Sequence, residues 1–175
     1  MEMTRELYAA IGEVVVEATR LEYGLAQLVA TRWGWSAAHE LAMVARGGVL
    51  RRQLDQLVVA EPDWTAVRTL RRDSYAVLND RHVLVHSLVV HLVDEDDEVR
   101  AIELWHPNTG STAALPSVST VREHAFDIGR CFVAAVRTTA DAERRFKELG
   151  AANAPRSPRL RQADDLGEAD GLAPA

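Results

Sequence analysis

Residues 120–150 read TVREHAFDIGRCFVAAVRTTADAERRFKELG, and this stretch decides the fold class. Val121, Ala125, Ile128, Phe132, Ala135, Thr139, Ala142, Phe146 and Leu149 recur at alternating steps of four and three. That spacing draws one stripe along a helix. Thr120 and Glu123 have capping-box spacing at its start, and Gly150 is a natural stop. About thirty residues make a helix roughly 45 Å long, enough to span a bundle from end to end.

Working outward, the N-terminal segment repeats the pattern. Leu7, Ile11, Val14, Ala18, Leu21, Leu25 and Leu28 predict a first helix over about 4–32, which Gly34 helps to end. Ser36 suits the N-cap of a second helix over about 37–46. Gly47-Gly48 then interrupts the chain. Val49, Leu50, Leu54, Leu57 and Val58 predict a third helix, ended by Glu61-Pro62-Asp63, with Pro62 or Asp63 opening the next. The fourth runs from about Trp64 through Val67, Leu70, Tyr75 and Leu78, past Arg81, with its exit near His86.

Between this helix and the last one the pattern changes. Residues 88–93 are rich in β-branched residues, 94–98 are five consecutive acids, and 99–105 can return as a strand. This predicts a β-hairpin, followed by a loop from His106 to about Ser117. Residues 151–175 lack periodicity and are expected to be a disordered tail, leaving one domain over 1–150. The fold class is therefore all-α, a helical bundle with a small β-hairpin insertion before the last long helix. The long stripes serve either as bundle core or as the seam of a helix-packed homodimer.

Composition narrows the function. No apolar run reaches the ~18 residues of a membrane span. The charged start, Met1 to Glu6, lacks the pattern of a secretory signal, and Cys131 is the sole cysteine. A reduced, cytoplasmic protein is expected. The net charge of −6 argues against non-specific coating of nucleic acid. Basic residues nevertheless concentrate between Arg46 and Arg81, so a local basic groove is compatible with the total.

The chain has no phosphate-binding glycine loop, no H-E-x-x-H and no G-x-S-x-G elbow. His82 and His86 have the four-residue spacing of a two-histidine metal pair, with His91 or Asp80 as a third ligand, but no general-base Glu adjoins His82. No metal or other cofactor is expected. Arg81 with His86 suits another chemistry. Metal-free RNA cleavage needs a proton taken from the 2′-hydroxyl, one given to the leaving oxygen, and charge held on the phosphate. Histidine, with an unperturbed pKa of about 6.5, suits the first two tasks. Arginine suits the third through paired, charge-assisted hydrogen bonds. Two such pairs facing one another across a dimer would supply both acid and base.

With Arg81, four intervening residues and His86 near the end of a long helix, the chain resembles the HEPN superfamily. These are helical-bundle proteins, many of them metal-independent RNases, that share an Arg-x(4–6)-His motif. The family commonly places Asn after its Arg; here His82 keeps that position polar, and the small residue Ser87 follows His86. The overall layout from about residue 7 to 148 is also similar. Arg32–His39 and Arg100–His106 fit the same spacing. The first spans an expected helix break and the second lies in an expected strand, leaving Arg81–His86.

The resemblance implies an HEPN-like bundle, working as a homodimer, that cleaves RNA at an interface cleft and leaves a 2′,3′-cyclic phosphate. It also suggests a toxin or phage-defence role, with an antitoxin or regulatory partner. Arg81 and His86 are the expected catalytic residues. His82, Asn79, Asp80 and Glu22 are the expected supporting polar groups, Glu22 orienting Arg81 or a histidine. The competing structural account is that Arg81 pairs with a carboxylate on a neighbouring helix, His86 is a satisfied helix-end histidine, and Glu22 is a solvated flank. Trp33, Trp35, Trp64 and Trp105 either stack bases or fill the ends of the bundle. A non-catalytic module binding a nucleotide, an RNA or a protein is the alternative function. One geometric difficulty accompanies the motif: five residues on an ideal helix turn about 140° around its axis. Either the helix unwinds before His86, or the length of arginine compensates, or a second subunit completes the site.

Overall fold

The computed structural model describes residues 2–45, 47–86, 88–93, 99–107 and 110–148. The expected tail over 151–175, the cap at Gly150, Leu149, the acidic turn 94–98 and Ser87 lie outside these residues. The described chain folds as α1 Glu2–Trp33, α2 Ala37–Ala45, α3 Gly47–Ala60, α4 Thr65–His86, β1 Leu88–Val93, β2 Val99–His106, β3 Ser111–Ala114 and α5 Val118–Glu148. It is a mainly helical protein with a small antiparallel sheet before the last helix. No helix among the described residues is long and apolar enough to cross a membrane.

The two long helices form the frame, α1 packing along α5 over most of its length. Their seam uses the predicted stripes. Val14, Ala18, Leu21, Leu25 and Leu28 of α1 and Val121, Ile128, Ala135 and Ala142 of α5 are buried. Each large aliphatic side chain removed from water contributes about 1.5–3 kcal/mol. Ile11, Phe132 and Phe146 lie at the margin of the stripe, packed against the core while half-buried. Gly24 permits the close approach: a Cβ there would stand 3.2 Å from the Phe132 ring and 3.3 Å from Ala135 Cβ. α2, α3 and α4 complete the bundle against α1, and α4 also packs on α5.

The helix ends follow local chemistry. Gly34 takes a positive φ of 65°, and the Trp35 N–H donates back to the Ala30 carbonyl at 3.0 Å. This is the left-handed stop that glycine adopts most easily. Ser36 immediately precedes α2, its carbonyl accepting the N–H groups of His39 and Glu40 while its hydroxyl meets the His39 ring Nδ1 at 3.0 Å. The Gly47-Gly48 pair lies inside the first turn of α3. α4 opens at Thr65, later than Pro62 or Asp63, because the Trp64 N–H closes a turn onto the Glu61 carbonyl at 3.0 Å.

Two further expectations are corrected. The cap of α5 is Ser117 rather than Thr120. The Ser117 hydroxyl accepts the Thr120 N–H at 3.1 Å, and the Ser117 carbonyl accepts that of Val121 at 3.1 Å. The expected loop to Ser117 contains β3, so the insertion is a sheet ordered β1-β2-β3. Leu88 pairs with Trp105 and Leu104 with Ala113. Residues 111–114 are all exposed, so no inside–outside alternation marks them as a strand.

Candidate functional site

α4 carries the site. It remains helical through His86, so unwinding before that residue does not resolve the angular problem. Tyr75, Asn79, His82 and His86 succeed one another at helical steps of four, three and four, which align them on one side of the helix. Leu78 and Arg81 are offset from that line, and both are half-buried. Between this surface and α1 and α3 lies a cavity of about 360 Å³. Its polar lining is Glu22 from α1, Arg51 from α3, and Tyr75, Asn79, Arg81 and His82 from α4. Its apolar floor is Leu25, Leu50, Leu54 and Leu78.

Of the expected residues, Glu22, Asn79, Arg81 and His82 share this cavity. Asp80 and His86 are exposed and outside its lining. His86 is joined to the group through His82, the ring centroids standing 4.4 Å apart with a 51° tilt. Arg81 does not ion-pair with a described carboxylate at contact distance. Its Nε is buried and makes no hydrogen bond, leaving a desolvated donor unspent. Buried donors are seldom left this way, because the lost solvation costs about 1–3 kcal/mol.

Glu22 is half-buried beside this guanidinium. Burial raises its carboxyl pKa above the ordinary value, and the charge of Arg81 offsets only part of that rise. Within the cavity, burial thus acts on the Glu22 carboxyl against the opposing pull of the Arg81 charge.

Arg51 and Tyr75 were not among the expected residues. Arg51 donates to Asn79 Oδ1 at 2.8 Å and lies over the Tyr75 ring at 4.5 Å. The Tyr75 hydroxyl is directed at the Arg51 carbonyl at 2.7 Å and Asp55 Oδ1 at 3.0 Å. Burial, followed by the hydrogen bond to Asp55, pushes the phenol up to about 12. Arg71 lies over the same ring at 4.7 Å but pairs with Asp55 at 2.7 Å and does not line the cavity. The excess of arginine between residues 46 and 81 was the available signal. Nothing in the spacing separated Arg51, which enters the cavity, from Arg71, which does not.

The remaining candidates resolve simply. Arg32 and His39 fall on different helices, α1 and α2, and Arg32 pairs with Glu61 at 2.7 Å. Arg100 and His106 lie on β2. Trp64 meets Phe146 edge to face at a bundle end, 5.9 Å between centroids. Cys131 is half-buried and burial pushes its thiol up, away from the thiolate a nucleophile needs. Among the described residues no three His, Cys, Asp or Glu side chains group in a way that could hold a metal ion.

No protein-family model, curated protein or solved structure matches this chain.

Proposed function

We propose that the chain is a metal-independent endoribonuclease of HEPN type. The observation that carries the reading is Arg81: a guanidinium with a buried, unspent donor, in a cavity with His82, whose ring leads to His86. Arg81 holds the non-bridging oxygens of the scissile phosphate. His86 takes the proton of the 2′-hydroxyl, whose oxygen attacks the adjacent phosphorus. The bond to the 5′-oxygen breaks, and that oxygen takes a proton from a second histidine. A 2′,3′-cyclic phosphate and a 5′-hydroxyl remain. His86 reaches outward, so a homodimer with two Arg81/His86 sets on one cleft supplies the second histidine. A toxin or phage-defence effector, restrained by an antitoxin or regulatory partner, is the role this chemistry fits. Expression provides a test: the wild-type chain should slow growth of its host, and Arg81→Ala or His86→Ala should restore it. Equal growth inhibition by all three chains would count against the reading.

The position of His86 outside the cavity lining favours a second reading, a non-catalytic nucleotide-, RNA- or protein-binding module. In that case Arg81 acts as a ligand-binding group alone, and His86→Ala changes neither growth nor RNA integrity.

A further inference from the structure

Arg51 gives the cavity a chemistry beyond the Arg81/His86 motif. Two guanidiniums enter the same space, from α3 and α4, against one carboxyl group. Among the described residues, no carboxylate lies at ion-pair contact distance from either of them, and Glu22 acts on Arg81 from beyond that distance. Arg51 is held in place: Asn79 accepts from it, the Tyr75 ring lies under it, and its own carbonyl accepts from the Tyr75 hydroxyl. A fixed guanidinium loses less entropy on meeting an anion than a free side chain does. The floor of the cavity is a separate feature, four leucines forming an apolar surface.

We infer that this cavity binds a nucleoside phosphate, its phosphoryl oxygens held jointly by Arg51 and Arg81 and its sugar and base laid against the leucine floor. The inference rests on the reading of Arg81 as a phosphate-holding group. It extends that reading to a second phosphate-positioning residue, Arg51. Size agrees with a ligand larger than a bare ion: 360 Å³ lies within the roughly 300–1,000 Å³ typical of small-molecule sites. A phosphoryl group also offers enough acceptor oxygens for two guanidiniums at once, each of which presents paired donors. The nucleoside phosphate is either a free nucleotide or one unit of an RNA chain.

Calorimetric titration of the full chain distinguishes these cases without requiring turnover. The probes are uridine, uridine 5′-monophosphate, and a short 2′-deoxy oligouridylate that cannot be cleaved through a 2′-hydroxyl. Binding of the monophosphate or the oligomer, with none of uridine, is expected. Monophosphate binding identifies the free nucleotide as a source; binding of the oligomer alone identifies the chain. Arg51→Gln should weaken the interaction about tenfold or more, the loss expected for a charge-assisted contact. Arg71→Gln removes the same charge from a residue outside the cavity lining and should change it less than about threefold. Equal weakening by both variants, uridine binding as tightly as its phosphate, or no binding of any probe would overturn the inference. Binding without RNA cleavage would sink the ribonuclease reading alone. Cleavage by a chain whose phosphate binding ignores Arg51→Gln would sink this inference alone.

Discussion

The imidazole rings of His82 and His86 stand one helical turn apart on α4 with centroids separated by 4.4 Å, and only His82 borders the cavity that contains Arg81. His82 is thus the link between the anion-binding and proton-transferring groups in the proposed reaction. His82→Ala should lower kcat for RNA cleavage by on the order of a hundredfold through misplacement of His86, with a smaller change in KM. His82→Asn, which keeps a polar group there, should recover part of that loss. A change confined to KM would place His82 in binding alone.

Glu22 makes a prediction for stability against pH. Burial raises its folded-state pKa above the ordinary 4.5, so the folded chain holds the proton more tightly than the unfolded one. Its favourable contribution is complete below the unfolded value and is lost as pH rises through the folded value. Glu22→Gln has no such proton to lose. The urea midpoint of the variant, relative to wild type, should therefore rise between acidic and neutral pH and then level off. A relative gain that grew on acidification would contradict the burial argument.

Gly24 tests the α1–α5 seam. A side chain there meets Phe132 and Ala135 at 3.2 and 3.3 Å, and Ala135 is fully buried. Gly24→Val should destabilise the fold by about 1–3 kcal/mol through overpacking, outweighing the smaller gain in helix propensity. Denaturant unfolding with an unchanged m-value would measure it.

The start of α5 separates two residues that sequence spacing alone confuses. Ser117→Ala removes the acceptor of the Thr120 N–H and should cost about 1 kcal/mol. Thr120→Ala leaves that bond in place and should cost less. The reverse order in thermal or denaturant unfolding would return the cap to Thr120.

Much of the architecture was legible because it depends on period. The α1 and α5 stripes span many turns, and a pattern of that length tolerates a few misfits such as Ile11 or Thr139. Gly34 was readable as a stop because few other residues accept its backbone conformation. β3 was not readable, since a strand exposed along its whole length leaves no alternation behind. Thr120–Glu123 fits the capping-box spacing, but geometry gives the cap to Ser117, and a spacing rule cannot weigh neighbouring hydroxyls against one another.

The site was legible in part for the same reason. The expected placement of Asn79, Arg81 and His82 on one helix follows from α4, and Glu22 meets them because α1 packs against it. Asp80 is adjacent in sequence but turned away, as a 100° step per residue requires. Arg51 and Tyr75 join through contact between α3 and α4, a tertiary relationship that no local spacing encodes.

The most direct measurement is cleavage of RNA by purified protein in EDTA, comparing wild type with His86→Ala and identifying the product ends. The account predicts that wild type leaves 2′,3′-cyclic phosphate termini and that a folded His86→Ala chain loses at least about a hundredfold in rate. No cleavage of varied RNAs by wild type, or equal cleavage by both chains, would contradict it.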